Sequence, residues 1–195
     1  MRWARRLSLA ACLPLLAACA GLPDRDPRFE RLLAYREVVR TTLAAGNWTL
    51  EPWRQLLADE DFARVIRQME GSLRPDSRVI CPRRLAGDFP AYPSARRVDL
   101  QEAVLLVAVL IDADGRIRKV RQAPHPRIVA EPPYVRAALD AIGQWTFSAG
   151  SVDGEPAAFV MLQPIAFALD PDVYDPKAMH PGHARCQATH PMAAR

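Results

Sequence analysis

Between Pro27 and Leu73 the apolar positions recur at the spacing of amphipathic helices, and beyond Ala103 they change to the runs and alternations of strands. Phe29, Leu32 and Leu33 open one helical stripe, which Val39 and Leu43 continue until Gly46-Asn47 stops it. Thr49 is placed to cap a second helix, with Glu51 and Pro52 in its first turn. Phe62, Val65, Ile66, Met69 and Leu73 then share one helical face. Residues 27–73 therefore predict a small antiparallel helical segment, in which Trp48 and Trp53 read as core. Residues 74–89 read as a linker, the start of an irregular stretch that carries Pro75, Pro82, Pro90 and Pro93 and runs on to Arg97.

The second half is built differently. Ala103 to Ile111 is an unbroken apolar run rich in Val, Leu and Ile, as in a strand buried on both faces. Asp112-Ala113-Asp114-Gly115 predicts a hairpin turn, because Gly tolerates the positive φ that closes it. Arg116 to Gln122 sets outward charges against Ile117 and Val120, the pattern of a strand with one wet face. Pro132 and Pro133 suit a helix's first turn, and Val135, Ala138, Leu139 and Ile142 give that helix a buried face. Asp153-Gly154 turns the chain into a last strand, about Ala157 to Leu169.

The N-terminus carries another pattern. Arg2, Arg5 and Arg6 precede an uncharged stretch, Leu7 to Ala18. That stretch is too short to cross a bilayer, which takes about 20 apolar residues, and has the proportions of a secretory signal. It ends in Leu16-Ala17-Ala18-Cys19, which resembles the lipobox of bacterial lipoproteins. The resemblance implies a signal over residues 1–18, a lipid anchor on Cys19, and a short tether over 19–26. Ala20 after that cysteine, where an Asp would favour the inner membrane, points to the outer membrane. The formal charge of the 195-residue chain is +4, and the signal's three arginines account for most of it. The remainder is close to neutral, which leaves no electrostatic case for nucleic acid. Cys81 and Cys186 are then the only other cysteines, and in an oxidising compartment they are most simply a disulfide.

The order strand, hairpin, strand, helix, strand resembles the C-terminal domain of the TonB family, over about residues 90–169. Tyr92-Pro93 stands where that domain begins, and Asp112 to Ile117 is similar to its hairpin. Ala137 to Ile142 with Trp145-Thr146-Phe147 is similar to its helix and the Trp-x-Phe that ends it. Asp153-Gly154-Glu155-Pro156 and Gln163-Pro164-Ile165-Ala166-Phe167 match its last turn and strand. Two departures stand out: Asp99-Leu100-Gln101-Glu102 replaces a glycine-bearing approach to the first strand, and Ser148-Ala149 replaces Lys-Pro. The resemblance implies an α+β fold, a three-stranded antiparallel sheet with a helix, here preceded by the helical segment. It also implies a last strand, with Phe159, Val160, Met161, Leu162, Gln163, Ile165 and Phe167, that takes up an extended peptide of an envelope partner such as an outer-membrane receptor or transporter. A module whose exposed edge is covered by the helical segment or the tail, purely structural, is the alternative.

Residues 170–195 form a Pro/His-containing tail in which His180, His183, Cys186 and His190 have ligand types suited to zinc or copper. A disulfide at Cys186 would remove the thiolate, and a tacked-down tail without metal is the simpler expectation. No cofactor is expected. Nucleophile, zincin and phosphate-loop motifs are absent, and Asp112 and Asp114 are explained by turn chemistry, so an enzyme is not expected.

Overall fold

The computed structural model describes residues 26 to 174 apart from residue 47. Its elements in chain order are α1 (Pro27–Ala44), α2 (Leu50–Leu56), α3 (Glu60–Ser72), β1 (Val79–Ile80), β2 (Arg84–Ala86), α4 (Ser94–Val98), β3 (Ala103–Ile111), β4 (Ile117–Ala123), α5 (Pro132–Ile142), β5 (Thr146–Phe147), β6 (Gly150–Val152), β7 (Glu155–Ala157) and β8 (Phe159–Phe167). The fold is α+β, as expected. The principal sheet is antiparallel in the order β4–β3–β8, so β3 is central and the other two are edges.

Local chemistry explains the boundaries. Asp26 caps α1 by accepting from the Arg28 amide at 2.9 Å, and Pro27 occupies the first turn. Asp59 caps α3, accepting from the Asp61 amide at 3.2 Å. Thr49 stands at the start of α2, but its side chain makes no capping bond. Between β3 and β4 the Asp112 carboxylate accepts from the amides of Asp114 and Arg116, and Gly115 takes φ +84°. The expected stripe on α1 is narrower than its spacing suggested. Leu32, Val39 and Leu43 are buried, while Phe29 and Leu33 lie on the exposed flank.

The stretch expected as irregular linker is stitched to the module. β1 pairs with β6, and β2 pairs with β5. The turn at Asp153-Gly154 joins β6 to β7, and the last long strand starts only at Phe159. Each short strand holds only two or three residues, below the length at which alternation can be read from sequence.

Every residue of β3 is buried because both faces of the sheet are covered. Val104, Leu106, Ala108 and Leu110 of β3, with Val160 and Leu162 of β8, form one core with Val39, Leu43, Trp48, Trp53, Leu56, Phe62 and Ile66 from the three N-terminal helices. The alternate β3 residues, with Ile165 and Phe167, pack with Tyr134, Ala138 and Ile142 of α5. The helical segment is thus one layer of a helix–sheet–helix sandwich.

A buried carboxylate joins these layers. The Glu102 side chain is 0% exposed, immediately before β3. It accepts from Arg36 of α1 at 2.6 and 2.9 Å, from the Leu169 amide after β8 at 2.8 Å, and from the Tyr174 hydroxyl at 2.8 Å. Burial alone would push its pKa up; Arg36, the Leu169 amide and Tyr174 outweigh burial and hold it below the ordinary glutamate value. The Tyr174 hydroxyl is pushed up, by burial first and then by the Glu102 charge. Tyr35 is pushed up to about 12, mainly by burial.

Removing one partner of a desolvated pair leaves the other charge stranded. Arg36→Met should cost about 3 kcal/mol in urea unfolding, the low end for buried pairs, because Arg36 is itself a quarter exposed. Because the folded pKa of Glu102 is depressed, its contribution is present above the unfolded value of about 4.3 and is lost as pH falls through the lower folded value. Glu102→Gln should therefore flatten the acid limb of the stability profile relative to the parent chain.

Candidate functional site

The residues that turn their backbone towards the outer side of β8 follow from two observations. β4 ends at Ala123, opposite Leu106, and beyond that end the Val104 amide donates to the Tyr35 hydroxyl at 2.7 Å. Val104 pairs with Ala166, so this pair does not exchange hydrogen bonds across the ladder. By alternation, Phe159, Met161, Gln163, Ile165 and Phe167 bond to β3, and Val160, Leu162, Pro164 and Ala166 face outward. Pro164 agrees with this phase, since a residue with no N–H belongs where the ladder asks for none.

That edge is modified along its length. Pro164 removes one outward donor, and the Gln163 side-chain amide donates to the Pro164 carbonyl at 3.1 Å. Val160 and Leu162 are 1% and 3% exposed, so their outward main-chain groups are covered. Ala166 is the one outward residue that is exposed. The named strand residues are therefore brought together, with Phe159, Val160, Leu162, Ile165 and Phe167 buried and Met161 and Gln163 half-buried.

α3 packs on this strand. Phe62 and Ile66 share the core of Val160 and Leu162, and Met69 is buried against Phe159. The other end of α3 lies at β4. Asp59 receives Lys119 at 2.8 Å and Arg121 at 3.0 Å, and Asp61 receives Lys119 at 2.9 Å. Hydrogen bonding from Lys119 is the main reason that both carboxyls sit below the ordinary aspartate range. Read along the chain, these acids are explained by the start of a helix alone. Their pairing with the outward charges of β4 depends on a chain reversal that spacing does not reveal.

Cys81 is disulfide-bonded, and every other cysteine of the chain lies outside the described residues, Cys186 and Cys19 included. His180, His183 and His190 lie outside them too. Among the described residues no group of three or more His, Cys, Asp or Glu side chains could hold a metal ion, and no helix is long and apolar enough to cross a membrane. His125, the one histidine described, accepts through Nδ1 from the amides of Arg127 and Ile128 and so serves its loop.

No family model matches the chain. Two curated relatives do, each a Protein TonB of Xanthomonas campestris pv. campestris, from strains B100 and ATCC 33913. Each is 37% identical over 82 residues, which cover 42% of this chain and 35% of the relative. The chain thus spans about a third of the length of the curated relatives it matches. A solved structure, the solution NMR structure of the Pseudomonas aeruginosa TonB C-terminal domain, aligns at 23% identity with a TM-score of 0.37, covering 46% of this chain and 87% of that one. By its relatives and its β4–β3–β8 sheet with α5, this is a TonB C-terminal-like module. The chain carries that domain behind a layer of helices.

The phase of β8 makes a direct test. Ala166→Pro should leave the unfolding free energy in urea within about 1 kcal/mol of the parent, because it removes only an outward donor. Gln163→Pro should cost about 3 kcal/mol, because it removes a ladder bond and leaves a buried β3 acceptor unpaired. A larger cost at position 166 than at position 163 would mean that the phase is reversed.

Proposed function

We propose that this chain is a non-catalytic envelope lipoprotein whose TonB-like module binds an extended segment of an envelope partner by strand addition along β8, with a link to TonB-type transport. The observation that carries the reading is the position of β8: in a TonB-like domain, it ends the sheet and turns one row of main-chain groups away from β3. An added strand takes its affinity from such groups and its specificity from side chains on alternate positions. The partner is an envelope protein of the kind TonB-like domains meet, such as an outer-membrane receptor. Lipid on Cys19 would hold the protein on the periplasmic side of the outer membrane. The seven residues from 20 to 26 that follow the anchor reach at most about 25 Å, which keeps the module close to that surface. A metal-handling role with zinc or copper is the second reading, and its residues, His180, His183, Cys186 and His190, lie outside the described residues.

Two experiments test this reading. Mass spectrometry of the protein purified from membranes should find residue 19 as the N-terminus, carrying a diacylglycerol thioether; an intact residue 1 would contradict the anchor. A photo-reactive amino acid at position 163 should crosslink in cells to a discrete envelope protein. Ala166→Pro should weaken that crosslink several-fold without unfolding the chain, and an undiminished crosslink would rule out strand addition at this edge.

A further inference from the structure

We infer that α3 is a strap: its N-terminus is held ionically on β4, its body crosses β3, and its C-terminal half covers the edge of β8. The inference rests on the strand-addition reading for its purpose, and on contacts alone for its existence. Asp59 and Asp61 stand on Lys119 and Arg121 of one edge strand. Phe62 and Ile66 pack with Val104, Leu106 and Leu110 of the central strand. Met69 is packed against Phe159 of the other edge strand. The 13 residues of α3 span about 20 Å, whereas the outer strands of a three-stranded sheet lie about 10 Å apart. The helix is therefore long enough to cross the sheet and overhang it.

The two ends differ in kind. The foot is a cluster of partly exposed charges, whose attraction falls with ionic strength. The cover is apolar, with Met69 only 3% exposed. Covering an edge with a helix is a standard protection against unwanted pairing. Phe62 and Ile66 share the core of Val160 and Leu162, whose outward groups an incoming strand would need, and Met69 closes on Phe159 next to them. A partner must therefore displace the C-terminal half of α3, and anything that loosens the foot makes that easier. α1 is not part of the strap, because Glu102 ties it separately to β3 and β8.

Methionine oxidation reads the strap without a partner. With dilute peroxide and peptide mass spectrometry, Met69 should oxidise about fivefold faster in Asp59→Asn/Asp61→Asn than in the parent chain. Asn keeps the cap of α3, so loss of helix is not the cause. Lys119→Gln/Arg121→Gln, made from the sheet side, should act in the same way. Met161, which packs on the α5 side, should be unchanged. Glu37→Gln, which breaks an exposed pair with Arg40 on α1, is the control and should leave Met69 alone. Raising salt on the parent chain should move Met69 in the same direction with no substitution at all. An unchanged Met69 overturns the strap, and so does a parallel rise at Met161, which would report general loosening. If Met69 responds while the position-163 crosslink does not strengthen, the strap stands and strand addition at β8 falls.

Discussion

The buried carboxylate of Glu102 is the interaction on which the arrangement depends. It stands where β3 begins, and its ligands come from α1, from the end of β8 and from the turn that follows it. A desolvated carboxylate is tolerated only when its oxygens are satisfied, so these three elements must arrive together or not at all. The result is a sheet fixed between two layers, with β3 closed on both faces. In the run that leads into β3, Asp99 to Glu102 is also where this chain departs from the TonB pattern. The departure carries the residue that holds the helical layer in place.

With the layers fixed, the chemistry left to the module lies at the strand edges. β4 carries the charges that hold α3, and β8 carries the proline and the glutamine amide that blunt its middle. On the strand-addition reading, the edge needs control over which main-chain groups meet an incoming chain, and the strap inferred for α3 would supply that control.

Much of this was legible along the chain, for reasons that can be traced. The apolar run Ala103 to Ile111 is the observed β3, because a strand buried on both faces needs no alternation. Trp48 and Trp53 are core, and Asp112 to Gly115 is the hairpin. What could not be read were the contacts between distant segments. β1 and β2 are too short to have a period. Phe29 and Leu33 match a stripe that the neighbouring layers do not fully cover. Glu102 announces itself only as a charge before an apolar run, and its partner Arg36 is 66 positions away. The edge of β8 could be named from the resemblance, and covering by the helical segment is already one alternative there; that α3 is the helix packed on β8 could not be read.

The central claim is that the helical layer and the TonB-like sheet are one cooperative unit tied at Glu102. Native-state hydrogen exchange in low denaturant tests it most directly. The amides of Val39 and Leu43 on α1 should converge with those of Val107 and Val109 on β3 onto a single opening isotherm, with one free energy and one denaturant slope. If the α1 amides merge among themselves at a distinctly lower free energy while β3 stays protected, the helices are a separate lid and the account is wrong.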